Sequence, residues 1–78
     1  MKKLFCEQLK KERTKRGLTA QALADLCGIS RSYITLIESG SRMPGKKNIP
    51  KIATALHLKT TVVLNWYLED IRMRMNLE

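Results

Sequence analysis

The side chains of this 78-residue sequence that could do covalent chemistry are few and poorly placed for it. His57 is the only histidine, and Cys6 and Cys27 stand in no metal-binding spacing. No carboxylate pair lies near His57, no Gly-rich phosphate loop occurs, and no nucleophile has an evident base. The sequence therefore offers no catalytic residue, no metal ligand set and no cofactor site, and an enzyme is not expected. What remains is cation chemistry. Fifteen Lys and Arg against seven Asp and Glu leave a net charge of +8. Residues 1–17 carry seven bases against Glu7 and Glu12, a net +5. Residues 41–59 hold Arg42, Lys46, Lys47, Lys51 and Lys59 with no acid, also +5, while the stretches 18–40 and 60–78 are each −1. Two basic blocks thus flank a nearly neutral centre, an arrangement suited to a polyanion gripped on both sides of something that reads it.

The centre must position whatever does the reading. From Thr19 to Gly40 the sequence reads as two short helices meeting at a sharp turn. Leu23, Ala24 and Cys27 share one helical face, Gly28 suits a bend at positive φ, and Ser30 is an N-cap for the next helix. Small Ala24 lets the helices approach closely. In the second helix Tyr33, Ile34 and Ile37 face inward, whereas Arg31, Ser32, Thr35 and Ser39 occupy the opposite arc. That outward face is small, polar and cationic, suited to entering a groove. Cys27 falls on the inward side and reads as a buried free thiol.

The run LTAQALADLCGISRSYITLIESGSRMP resembles the helix-turn-helix of the phage repressor/Cro (xre) family. The resemblance is carried by Leu18-Thr19, Leu23-Ala24, Gly28-Ile29-Ser30, Tyr33-Ile34, Ile37-Glu38, Gly40 and Pro44, and it extends from about Leu9 to Leu64. The SRSY segment is similar to that of the small controller proteins of restriction–modification systems. The resemblance implies an all-α, lambda-repressor-like bundle of about five helices, with helices 2 and 3 forming the helix-turn-helix. It implies double-stranded DNA as the partner. Base edges would be read by Arg31, Ser32, Thr35 and Leu36, with Arg31 able to present a planar fork to guanine. Phosphate contacts are expected from Thr19, Gln21, Ser30, Tyr33, Ser39, Arg42, Lys46, Lys47 and Asn48. Relatives commonly carry Gln where this sequence has Ala20, so the phosphate there is held either by backbone N–H groups alone or by Gln21. The family pairing of an Arg in the first helix with a Glu at the end of the third transfers to Arg13 and Glu38. Where relatives often place an apolar residue this sequence has Glu12, which should anchor the first helix less deeply.

The remaining elements follow from local signals. Helix 1 is expected over residues 2–16, with Phe5 and Leu9 inward and Gly17 just past its end. The breaker-rich segment SGSRMPGKKN is expected to be a long, adaptable arm. Pro50 requires helix 4 to start late, with Asn48 as its cap, and to end near His57, where relatives often have glycine. Thr60 or Thr61 should cap helix 5. In that helix Leu64, Leu68, Ile71 and Met75 form the stripe expected to face the chain's own core. A second stripe marked by Trp66, Met73 and Leu77, with Tyr67, Asp70 and Ile71 beside it, is expected to bury against another copy. Residues 1–78 are thus read as one domain, with 60–78 as the dimerisation helix. The absence of a signal peptide or long apolar run points to the cytoplasm. The function expected is a sequence-specific regulator, acting as a homodimer on a pseudo-palindromic operator. The competing reading is an antitoxin or other interaction module that binds a partner protein and its own promoter. RNA polymerase contact, and with it activation rather than repression, is not readable from the residues.

Overall fold

The computed structural model describes residues 4–76. Leu4 is extended (φ −70°, ψ 157°), so the first helix, α1, begins at Phe5 and runs to Lys15. It is shorter than the expected 2–16, of which residues 2 and 3 lie outside the described part. Arg16 has left the helical range (φ −92°, ψ 3°), and Gly17 at φ 70° turns the chain out. Next comes α2, Ala20–Cys27, opened by Thr19, whose Oγ1 accepts from the Ala22 N–H at 3.0 Å. Gly28, left-handed at φ 71°, ends it. Two residues later Ser30 opens α3, Arg31–Glu38, its Oγ accepting from the Tyr33 N–H at 3.1 Å. These capping bonds satisfy helix-end donors within a tight turn, so the two helices are set at their angle by local chemistry.

The remaining helices close the core. A single 3₁₀ turn, Lys46–Asn48, leads into α4, Ile49–Ala55, with Pro50 in its first turn where no N–H is needed. Asn48 does precede α4, but its side chain makes no capping bond. The last helix, α5, starts at Thr60 itself, so Lys59 and not a threonine stands ahead of it, and runs to Asn76. The core joins Phe5 and Leu9 of α1 to Leu23, Ala24 and Cys27 of α2 and Ile34 and Ile37 of α3. From the C-terminal half come Ile49, Ile52, Ala53 and Leu56 together with Val63 and Trp66 of α5. Burial pushes the Cys27 thiol up from its ordinary pKa, as fits a packed and unreactive sulfur.

Besides the packing of Leu9, three ties hold α1, and none involves an apolar residue at position 12. Phe5 meets Trp66 edge to face at 5.9 Å between ring centres. The Phe5 N–H donates to Asp70 Oδ2 at 2.7 Å, so a carboxylate of α5 caps the first turn of α1. Arg13 reaches across to α3. Glu12 instead pairs with Arg16 one turn on, and that hydrogen bond holds its carboxyl below the usual range.

α5 faces the core with the opposite stripe from the one expected. Val63, Trp66 and Asp70 point inward, Trp66 being 8% exposed and Asp70 fully buried. Leu64, Leu68 and Met75 are exposed. Trp66 and Asp70 therefore cannot form a surface for another copy, which corrects two of the interface residues expected from sequence. Tyr67, Ile71 and Met73 are half-buried, and Leu77 lies outside the described residues. The inversion has a physical cause: Asp70 pairs with Arg74 and accepts from the Phe5 N–H, so a charged residue occupies a core position.

His57 takes the left-handed conformation (φ 57°) just past α4. Such a backbone strains any residue with a Cβ, and glycine adopts it freely. His57→Gly should raise stability by about 0.5–1 kcal/mol, read as a higher denaturant midpoint at unchanged slope. An unchanged or lower midpoint would mean that the imidazole contributes more than the strain costs.

Candidate nucleic-acid interface

The outward face of α3 is built by its own inward one. Ile34 and Ile37 are buried against α1 and α2, which turns Arg31, Ser32, Thr35 and Leu36 to the surface. All four residues named as base readers are exposed together on one helix. Leu36 is 42% exposed and takes no part in closing the core. Arg31 has no ion-pair partner among the described residues, so its fork is free for a ligand. Thr35 is partly committed. Its hydroxyl donates to the Arg31 carbonyl at 3.0 Å, leaving lone pairs and a methyl group outward.

The residues named as phosphate contacts fall into three groups. Thr19 and Ser30 use their oxygens as N-caps and keep their protons free. Gln21 donates to Asp25 Oδ1 at 2.9 Å, and Ser39 donates to the Leu36 carbonyl at 3.0 Å, so both have partners within the protein. Tyr33, in the first turn of α3, gathers Arg42 and the Lys46–Asn48 turn around it. The segment joining α3 to α4 is not the free arm expected from its breakers. The Tyr33 hydroxyl accepts from the Gly45 N–H at 2.9 Å and from Asn48 Nδ2 at 3.2 Å. The Arg42 guanidinium lies 5.4 Å from the centre of the Tyr33 ring, and Pro44 is buried. Asn48 is buried too, which removes it from the list of direct contacts. The bond from Gly45, then that from Asn48 and the charges of Arg42 and Lys47, hold the Tyr33 hydroxyl below its ordinary pKa.

At the other end of the face, Lys10 of α1 lines a cleft with Arg13, Ala20, Thr35, Glu38 and Ser39. In sequence Lys10 is one of seven bases in the first block, and only the fold brings it beside Ala20 at the start of α2. Arg13 and Glu38 form a two-point ion pair there, Nε to Oε2 at 2.7 Å and Nη2 to Oε1 at 2.9 Å. Arg13 Nη1 also donates to the Leu18 carbonyl at 2.7 Å. The pair binds α1 to the end of α3 and neutralises a carboxylate at a helix C-terminus, where the dipole disfavours it. The Glu38 hydrogen bond in turn raises the Arg13 pKa further.

Between α4 and α5, Ile49, Pro50, Leu64, Tyr67 and Leu68, together with Lys46 and Thr60, line a largely apolar groove of about 300 Å³. No helix among the described residues is long and apolar enough to cross a membrane.

The comparisons agree with this geometry. The chain is 39% identical over 61 residues to YqaE of Bacillus subtilis, an uncharacterized HTH-type transcriptional regulator, covering 78% of this chain and 53% of that protein. It thus spans about half the length of that relative. Among solved structures it is similar to the restriction–modification controller protein C.AhdI from Aeromonas hydrophila. The two share 39% identity and a TM-score of 0.72, over 76% of this chain and 89% of that one. The DNA-binding domain of the P22 c2 repressor has the same fold, with a TM-score of 0.76 at 23% identity over 82% of this chain and 84% of that one. These relatives are regulators and not enzymes. A model of the helix-turn-helix family HTH_3 matches residues 9–63, which include Arg13, the whole α2–α3 unit and the basic segment after it, and the chain belongs to that family.

Proposed function

We propose that this chain is a sequence-specific, DNA-binding transcriptional regulator that works in the cytoplasm as a homodimer on a pseudo-palindromic operator. The observation that carries the reading is the face of α3. Arg31 and Ser32 stand exposed in its first turn, Tyr33 of the same turn contacts Arg42 and the Lys46–Asn48 turn, and the following segment holds no acid. Recognition helices of this type meet base edges with their N-terminal residues, while flanking cations supply affinity through phosphates. Half-sites would lie about 34 Å apart, one turn of the duplex. Selection of bound sequences from a random DNA pool tests this, with a two-fold symmetric consensus expected.

Arg31→Ala should cost about 1–3 kcal/mol at one base position per half-site, at a guanine, and relax preference there. Arg31→Lys should not restore it, because one ammonium cannot reproduce the planar fork. Equal loss on every sequence would assign Arg31 to a phosphate and move the reading to Ser32 and Thr35.

The dimer surface we assign is the outward stripe of α5, Leu64, Tyr67, Leu68 and Ile71, with Pro50 of α4 beside it. Its groove is apolar and Lys46 is among its lining residues, so a two-fold axis there would bring the two basic segments near each other. Leu68→Asp should shift sedimentation from a two-chain to a one-chain species and lower operator affinity sharply. The melting of the single chain should change by no more than about 0.5 kcal/mol, since Leu68 is a surface position. A chain that stays paired as Leu68→Asp would reject this surface. A single chain that nevertheless captures a protein encoded beside it would favour the interaction-module reading.

A further inference from the structure

The segment between α3 and α4 carries three of the cations assigned to phosphate, Arg42, Lys46 and Lys47, all of them exposed. Ordering such side chains on binding weakens the complex unless the free protein has ordered them already. Here the ordering comes from a residue of the reading helix. Gly45 is the N-cap of the Lys46–Asn48 turn and Asn48 is its last residue, and the Asn48 N–H closes the turn on the Gly45 carbonyl at 2.9 Å. The Tyr33 hydroxyl is bonded to both ends of that turn, through the Gly45 N–H and the Asn48 amide. Turning the Asn48 amide over makes Tyr33 the donor and Asn48 the acceptor, so the tie stands in either orientation. The ring of the same tyrosine seats Arg42.

Tyr33 is itself fixed. Its N–H bonds to the Ser30 cap, and it stands in the first turn of α3, two positions from Arg31. One short chain of contacts therefore runs from the N-cap of the reading helix to the turn that displays Lys46 and Lys47. Gly45 contributes its N–H and not its conformational freedom, for its φ is −66° and an added Cβ would meet nothing closer than 3.8 Å.

We propose that Tyr33 is a positioning residue for the DNA backbone: its hydroxyl clamps both ends of the Lys46–Asn48 turn and its ring seats Arg42, so that the three cations are held in register with Arg31. The inference rests on the DNA-binding reading above. It assigns Tyr33 a role through the loop, whereas the sequence had suggested a phosphate contact of its own.

The test is a cycle between Tyr33→Phe, which keeps the ring and removes the hydroxyl, and the combined variant Arg42→Ala, Lys46→Ala and Lys47→Ala. In the otherwise native protein Tyr33→Phe should weaken every duplex alike, by about five- to tenfold, and flatten the salt dependence. In the triple-alanine background it should cost nothing further, since no cations remain to place. Amide exchange at Gly45 and Asn48 in the free protein should quicken in Tyr33→Phe, while Leu23 and Ile52 in the core keep their protection. Losses that add across the cycle would mean that the hydroxyl touches DNA itself and would overturn the proposal. So would a loss confined to one base position, or unchanged exchange at Gly45 and Asn48. A native chain that binds no duplex removes the DNA reading, and this inference with it, whatever the exchange shows.

Discussion

Arg13→Ala should destabilise the fold by about 3–5 kcal/mol, the cost of stranding a largely buried carboxylate. The two side chains are only 13% and 9% exposed, and the contact is made at two points. A surface pair of the same residues would contribute about 0–1 kcal/mol. Removing Arg13 also leaves the Leu18 carbonyl without its side-chain donor, at the turn that leads into α2. Domains hold roughly 5–15 kcal/mol in total, so the variant should lose a large share of its stability. Denaturant unfolding followed by circular dichroism would measure it. Glu38→Gln in the Arg13→Ala background should recover part of the loss, because the stranded charge is then gone. A midpoint shift within error would remove the pair from the forces holding α1 to α3.

Trp66→Ala should be comparably damaging, about 3–5 kcal/mol, and the damage should lie within one chain. Trp66 packs edge-on to Phe5 and is buried beside Val63, so alanine opens a cavity where α5 meets α1. The same opening loosens Asp70, whose carboxylate caps α1 one turn further along α5. Protein concentration separates this account from an interface role. A core residue lowers the unfolding midpoint equally in dilute and concentrated samples, whereas an interface residue loses its effect once the chains are already apart. Equal stability of Trp66→Ala and the native chain at high dilution would restore Trp66 to a surface between copies.

The helix-turn-helix was legible because its signals are local. Thr19, Gly28 and Ser30 act within three or four residues of themselves, and apolar periodicity alone sends Ile34 and Ile37 inward and Arg31 outward. Arg13 and Glu38 were legible only through resemblance, since nothing in their spacing pairs residues on two separate helices. α5 was misread for an identifiable reason. Apolar residues surround that helix, from Val62 through Met75, so periodicity did not decide which stripe faces the core. The residue that would have decided it is an aspartate, which a rule based on hydrophobicity places outside. Its burial follows from two partners, the Phe5 N–H and Arg74, and the first is 65 positions away in sequence.

The segment after α3 shows the same division. Its glycines, proline and serines correctly marked a break between helices, and its charges marked it as cationic. Composition describes what a backbone is free to do in isolation, however, and not which side chain will hold it. The bonds that tie it down come from Tyr33, at least twelve positions earlier, and depend on the segment folding back onto α3. By itself the sequence determined the α2–α3 unit, the outward polar face of α3 and the two basic blocks, because helix caps, periodicity and charge are properties of neighbouring residues. Tertiary structure alone decided the inward face of α5, the capping of α1 by Asp70 and the anchoring of Lys46 and Lys47. Each of those depends on a polar group finding its partner across the fold, where burial makes a satisfied hydrogen bond count for more than the residue's average preference for water.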